Sequence, residues 1–114
     1  MTPALLRPLA EADLIARTRF YRTEGGEGLA HRFFDAAVAA LDAIARMPGA
    51  GSPRFGELCG MPGLPVRRVV GFPCGWFYLS AADHVDVIRL LGDAQDLPAI
   101  LGEIGQDPPA TQSR

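Results

Sequence analysis

Residues 66–92 read VRRVVGFPCGWFYLSAADHVDVIRLLG, and this stretch decides how the rest of the chain folds. β-Branched and aromatic side chains dominate three short runs within it, a composition that favours half-buried strands. The runs cover residues 66–72, 76–79 and 85–91. Turn-forming residues separate them, Pro73-Cys74-Gly75 first and residues 80–84 second. The stretch therefore predicts a three-stranded antiparallel meander.

The residues before the meander predict an edge strand and two helices. Residues 4–7 are a short apolar run that can extend the sheet at its edge. Residues 10–21 and 27–46 repeat apolar side chains at helical spacing, and Thr23-Glu24-Gly25-Gly26 interrupts the pattern. Two helices joined by so short a break should be antiparallel neighbours, so we expect a helical hairpin that covers one face of the sheet.

The residues around and after the meander complete the predicted domain. Residues 48–65 are dense in glycine and proline, which predicts a surface loop. Residues 95–104 repeat apolar side chains at helical spacing and predict a C-terminal helix. The sequence thus predicts one α+β domain over residues 1–104, with a small antiparallel sheet covered by an N-terminal helical hairpin. Residues 105–114 are predicted to be a flexible tail.

Composition narrows the possible functions. The 114 residues carry a net charge of −2 and include no lysine, so we do not expect direct sequence-specific binding of nucleic acid. The chain has no run of about 18 apolar residues, and we expect it in the cytoplasm. Cys59 and Cys74 lack metal-ligand spacing and are expected to be reduced, packed thiols. The carboxylates of Glu11, Asp13 and Asp35 are expected to be solvated partners of helix dipoles, and no metal site or cofactor is predicted.

The order of the elements, together with several short motifs, resembles the ParE branch of the RelE/ParE superfamily, the toxins of type II toxin-antitoxin modules. The motifs are Ala10-x-x-Asp13-Leu14, Ala30-x-x-Phe33 with Leu41, Pro48-Gly49-x-Gly51, Phe72-Pro73 before Phe77-Tyr78, and Val87-Ile88-Arg89-Leu90-Leu91 before Asp96-Leu97. The resemblance extends to about residue 104. The chain departs from the family at Gly92 and Gln95, where members commonly carry His and Arg.

The resemblance implies a toxin that inhibits DNA gyrase by binding it, catalyses no reaction and is neutralised by a cognate ParD-like antitoxin encoded nearby. We expect Arg67, Arg68 and Arg89 to contact gyrase, because clustered cations on an acidic protein suit an enzyme that itself holds DNA. For Arg89, a structural role with Asp86 or Asp93 as its partner stays open.

The antitoxin is expected to fold onto the hairpin and the open sheet edge. The residues expected to meet it are Phe33, Phe34, Trp76, Leu97 and Leu101. The spacing of the three aromatic residues also fits packing in the core.

Two other functions remain open. A ribosome-dependent mRNA endoribonuclease of the RelE kind would draw charge from Arg67, Arg68 and Arg89, and an acid or base from Tyr78 or His84. In the competing interpretation the arginines lie on a solvated strand face, Tyr78 is partly in the core and His84 belongs to a turn. The third function is that of a degenerate toxin that binds antitoxin without harming the cell, in keeping with the departures at residues 92 and 95.

Overall fold

The computed structural model describes residues 2–47 and 65–93. Its elements are β1 (Ala4–Leu6), α1 (Pro8–Arg46), β2 (Val66–Arg68), β3 (Cys74–Ser80) and β4 (Val85–Gly92). The four strands form one sheet in the order β1-β4-β3-β2. The predicted α+β class is confirmed. The predicted loop up to residue 64, the C-terminal helix and the tail lie outside the described residues.

The sheet is mixed, so the prediction of an antiparallel sheet is wrong at one edge. β3 pairs antiparallel with both β2 and β4, as the meander requires. β1 runs parallel to β4, with Ala4 opposite Val85 and Leu6 opposite Val87. These pairings make β1 and β2 run in the same direction. The chain must therefore return across the sheet between them, and α1 begins that crossover.

The turn between β2 and β3 falls earlier than predicted. The backbone N–H of Phe72 donates to the carbonyl of Val69 at 3.2 Å. Gly71, at the third position of this turn, has a φ of 86°, which glycine adopts without strain. Cys74 and Gly75 are consequently strand residues rather than turn residues.

A β-bulge interrupts the pairing of β3 with β4. Phe77 lies opposite Arg89 and Tyr78 lies opposite Val87, which leaves Ile88 as the extra residue on β4. The bulge shifts the alternation of faces, so that Val87 before it and Leu90 after it both belong to the same core cluster. A strand with simple alternation could not do this over three positions.

α1 is divided at Gly26, whose φ of 86° and ψ of −178° lie outside the helical region. The rings of Tyr21 and Phe33, on either side of the division, have centroids 4.9 Å apart. In one straight helix they would be roughly 18 Å apart along the axis, so the chain doubles back at Gly26. The predicted four-residue break is confined to this single residue, and Thr23 to Gly25 are helical.

The core lies between α1 and one face of the sheet. Trp76 is fully buried at its centre, and its indole N–H donates to the carbonyl of Ala37 at 3.0 Å. The buried residues of this cluster are Ala10, Phe33, Ala37, Ala40 and Ile44 from α1, with Val69, Cys74, Trp76, Tyr78, Val85, Val87 and Leu90 from the sheet and its first turn. The alanines allow close approach of helix and sheet, which suits the large side chain of Trp76.

Replacing Gly26 with alanine should destabilise the protein by about 1–3 kcal/mol, because its backbone conformation is essentially restricted to glycine. Gly28→Ala is the matched control. Gly28 is helical, and a Cβ added there would lie 3.6 Å from an Arg32 guanidinium nitrogen, an ordinary contact. Alanine at residue 28 should therefore stabilise the helix by about 0.5–1 kcal/mol. Urea unfolding followed by circular dichroism measures both changes, and a Gly26→Ala variant as stable as the parent would contradict the assigned turn.

Candidate functional site

The best-defined polar cluster joins α1 to the edge of β4. The carboxylate of Asp13 accepts hydrogen bonds from Arg89 Nε at 2.7 Å, from Arg89 Nη2 at 2.9 Å and from the backbone N–H of Leu90 at 3.0 Å. The side chains of Arg89 and Asp13 are only 7% and 16% exposed. β1 pairs with β4 over Val85–Val87 alone, so Asp13 provides an acceptor beyond the reach of β1.

Arg89 therefore has the structural role that the sequence left open, with Asp13 as its partner instead of Asp86 or Asp93. Those two carboxylates pair elsewhere, Asp86 with Arg7 at 2.8 Å and Asp93 with Arg68 at 3.0 Å. The expectation that Asp13 is merely a solvated dipole partner is wrong. The signal that could have identified it is its place between two residues that pack on the core, Ala10 and Leu14.

The two neighbouring arginines of β2 lie on opposite faces of the sheet. Arg67 is opposite Trp76 in the ladder, on the face that packs against α1, and is half-buried. Arg68 is exposed at the other face, where its guanidinium makes a bidentate contact with Asp93. The hydrogen bonds to Asp93 raise the pKa of Arg68 above its ordinary value. Of the three arginines expected to contact gyrase, Arg68 presents the most accessible charge.

The residues of the ribonuclease alternative do not converge on one accessible site. Tyr78 is fully buried in the core, and Arg89 is buried against Asp13. His84 lies in the turn between β3 and β4, with Nδ1 2.8 Å from Asp83 Oδ1. This hydrogen bond lowers the pKa of the Asp83 carboxyl.

The residues expected to meet an antitoxin are divided between core and surface. Phe33 and Trp76 are fully buried, so they offer no surface to a partner in this structure. Phe34 is 43% exposed. Leu97 and Leu101 lie outside the described residues. Sequence reasoning missed Ile15, which is 47% exposed, because its helical spacing matched that of the sheet-facing side chains.

Gly92 is one of the departures from the family pattern. Because it has no side chain, it leaves space for a neighbouring cationic side chain. A Cβ added at residue 92 would collide with the guanidinium of Arg17. Arg17 also lies close enough to Cys74 for its charge to favour the thiolate, but burial outweighs this effect and raises the pKa of Cys74. Cys74 is therefore a free, buried and protonated thiol at neutral pH. Cys59 lies outside the described residues.

Replacing Asp13 with asparagine should destabilise the protein by about 3 kcal/mol, because it removes the carboxylate charge that pairs with the buried guanidinium of Arg89. Asparagine keeps the size of the side chain and one oxygen for the Leu90 N–H. The control is Arg68→Gln, which breaks an exposed ion pair and should cost less than about 1 kcal/mol. Unfolding free energies from urea titration test the contrast, and equal losses in the two variants would contradict a structural role for Asp13.

Comparison of the sequence with protein-family models and with curated proteins finds no match. Across residues 2–47 and 65–93, no group of three or more His, Cys, Asp or Glu side chains is placed to hold a metal ion. The same ranges contain no helix with the length and apolar character needed to span a membrane. A function for this chain therefore has to follow from its fold and its surface.

Proposed function

We propose that this chain is the toxin of a type II toxin-antitoxin module, which inhibits DNA gyrase by binding it in the cytoplasm and is neutralised by a ParD-like antitoxin encoded nearby. The observation that carries the proposal is the arrangement of the elements. β1 lies beside β4 in a sheet of order β1-β4-β3-β2, and α1 doubles back at Gly26 over one face. We take α1 as the helical hairpin that the resemblance implies.

The placement of the polar side chains favours binding over catalysis. Acid–base chemistry on an RNA requires groups that reach the substrate, whereas Tyr78 and Arg89 are both buried. Arg67 and Arg68 belong to different faces of the sheet, so the strand does not direct both guanidinium groups towards one phosphate. Within the described part of the chain, no observation favours the endoribonuclease.

Arg68 is the residue that we propose for the contact with gyrase. It lies on β2, the last strand in the order of the sheet, and the side chains of Arg68 and Asp93 are 45% and 46% exposed. An exposed ion pair contributes little to stability, so the guanidinium can exchange Asp93 for an acidic group of a partner at small cost. Arg89 cannot do so without leaving Asp13.

Inducible expression of the chain alone in a bacterial host tests the proposed function. Growth, DNA-damage signalling and the integrity of translated mRNA are followed together. We expect growth arrest with DNA breaks and intact mRNA. Cleavage of translated mRNA would instead support the endoribonuclease, and normal growth with confirmed expression of folded protein would contradict toxicity in that host, leaving only antitoxin binding to be tested.

Arg68→Gln should raise the concentration needed for half-inhibition of purified gyrase by about tenfold, because it removes an exposed charge at the proposed contact. DNA supercoiling assays measure the effect. Arg32→Gln is the matched control, since Arg32 is an exposed arginine on α1, and it should leave inhibition unchanged. Full inhibition by a correctly folded Arg68→Gln variant would rule out this contact.

A further inference from the structure

The turn between β2 and β3 presents one apolar side chain almost entirely to solvent. Val70 is 85% exposed, the highest fraction among the large apolar residues that the structure describes. It occupies the second position of the turn, before Gly71. Val70 is not a member of the core cluster, and turns favour glycine, proline and small polar residues instead of valine. Within residues 2–47 and 65–93, the core and the turn therefore both form without help from this side chain.

The chain on either side of Val70 is held firmly. Val69 is only 1% exposed and belongs to the core cluster. Phe72 packs edge-on against the rings of Tyr21 and Phe33, with ring centroids 5.0 and 5.2 Å away. Because the turn is fixed at both ends, a partner that covers Val70 has little chain to order, which reduces the entropic cost of binding.

A paired cation lies beside this valine. Arg68 is two residues from Val70 in the chain, so their Cα atoms are at most about 7 Å apart. The Arg68 guanidinium donates two hydrogen bonds of 3.0 Å to the Asp93 carboxylate. The backbone N–H of Asp93 donates to the carbonyl of Pro73 at 3.1 Å. The turn, Arg68 and Asp93 therefore all lie at the same end of the sheet.

The ion pair indicates which chemical group this end of the sheet accepts. The guanidinium of Arg68 already binds a carboxylate through two parallel hydrogen bonds, the geometry that arginine provides best. Nearly half of each side chain is exposed, so a carboxylate of a partner can reach the guanidinium. Asp93 occupies the same donors, and it therefore competes with any such group.

We propose that Val70 and Arg68 form one contact surface, in which Val70 enters an apolar depression on the partner and Arg68 exchanges Asp93 for a carboxylate at the rim of that depression. Asp93 is then an intramolecular competitor that weakens the contact. The inference rests on the proposed function, which makes DNA gyrase the partner. A nucleic acid suits this surface less well, because Asp93 repels phosphate and valine offers no ring on which a base can stack.

Val70→Ala tests the apolar half of this surface. The concentration needed for half-inhibition of purified gyrase should rise by about tenfold, because two methyl groups lose their burial in the complex. Urea unfolding should show unchanged stability, since the side chain is 85% exposed in the free chain. Leu79→Ala is the matched control. Leu79 is 43% exposed near the opposite end of β3, and its truncation should leave inhibition unchanged.

Asp93→Asn tests the exchange of carboxylates. Removing the competing charge should lower the concentration needed for half-inhibition by about threefold, whereas Arg68→Gln raises it. When both substitutions are combined, the effect of Asp93→Asn should disappear, because no guanidinium remains for residue 93 to occupy. Asp83→Asn is the control for a general change of charge. It removes an exposed carboxylate from the turn between β3 and β4, and it should not change inhibition.

The outcomes separate this inference from the proposed function. Inhibition by a folded Val70→Ala variant that equals inhibition by the parent would overturn the inference, as would weaker inhibition by Asp93→Asn. A gain from Asp93→Asn that persists without Arg68 would also overturn it. Each of these results refutes the contact surface alone, because the parent still inhibits gyrase. A folded parent chain that neither binds gyrase nor inhibits it would refute the proposed function and this surface together.

Discussion

Asp13 joins α1 to the part of β4 beyond Val87, two parts of the structure that no backbone pairing with β1 connects. β1 reaches only the first residues of β4, and beyond Val87 the carboxylate takes over, accepting hydrogen bonds from the Leu90 N–H and from Arg89. A buried guanidinium is costly unless it is paired, so the position of Arg89 depends on the helix that carries Asp13. The same contacts fix the position of this helix over the sheet. The bulge at Ile88 lies immediately before Arg89 and Leu90. It shifts the alternation of faces along β4, which suits the contacts of both residues with Asp13.

The same constraint explains why the interior and the surface of α1 differ so much. With Asp13 fixed at the edge of β4, Ala10 and Phe33 meet the sheet and pack around Trp76. Ile15 and Phe34 are left outside, although both are large and apolar. Further burial in this core cannot remove them from water without breaking contacts, because Asp13 holds the first half of α1 to β4 and the indole N–H of Trp76 donates to Ala37 in the second half. The exposed apolar surface is therefore a consequence of the fold itself.

The sequence predicted the meander well because its signals are local. β-Branched and aromatic runs specify strands, and the order of elements follows from them. The sequence-based prediction was wrong at the first turn. Val70-Gly71 and the later Pro-Cys-Gly segment are both plausible turn formers, and only the pairing of β2 with β3 decides between them. It also failed at the parallel edge, since the direction in which β1 pairs depends on the whole path of α1. The bulge has no sequence signature here.

The candidate site was harder to predict for the same reason. Helical spacing could not distinguish Ile15 from the side chains that face the sheet, because neighbouring positions fall within one broad apolar stripe. Nor could it show which of several carboxylates would reach Arg89, a contact between residues 76 positions apart. Nor could spacing separate Phe34, which is 43% exposed, from the fully buried Phe33 and Trp76, because all three also fit packing in the core.

The parallel pairing of β1 with β4 has a consequence for synthesis of the chain. The ribosome makes β1 and Asp13 well before their partners on β4, so the sheet cannot close until residue 92 has emerged. Until then the nascent chain carries a helix whose apolar side has nothing to cover it, and contacts of such long range form slowly. A truncated product that ends before β4 would lack both the sheet edge and the counter-ion of Asp13. No molecule can therefore adopt the native surface before β4 has left the ribosome.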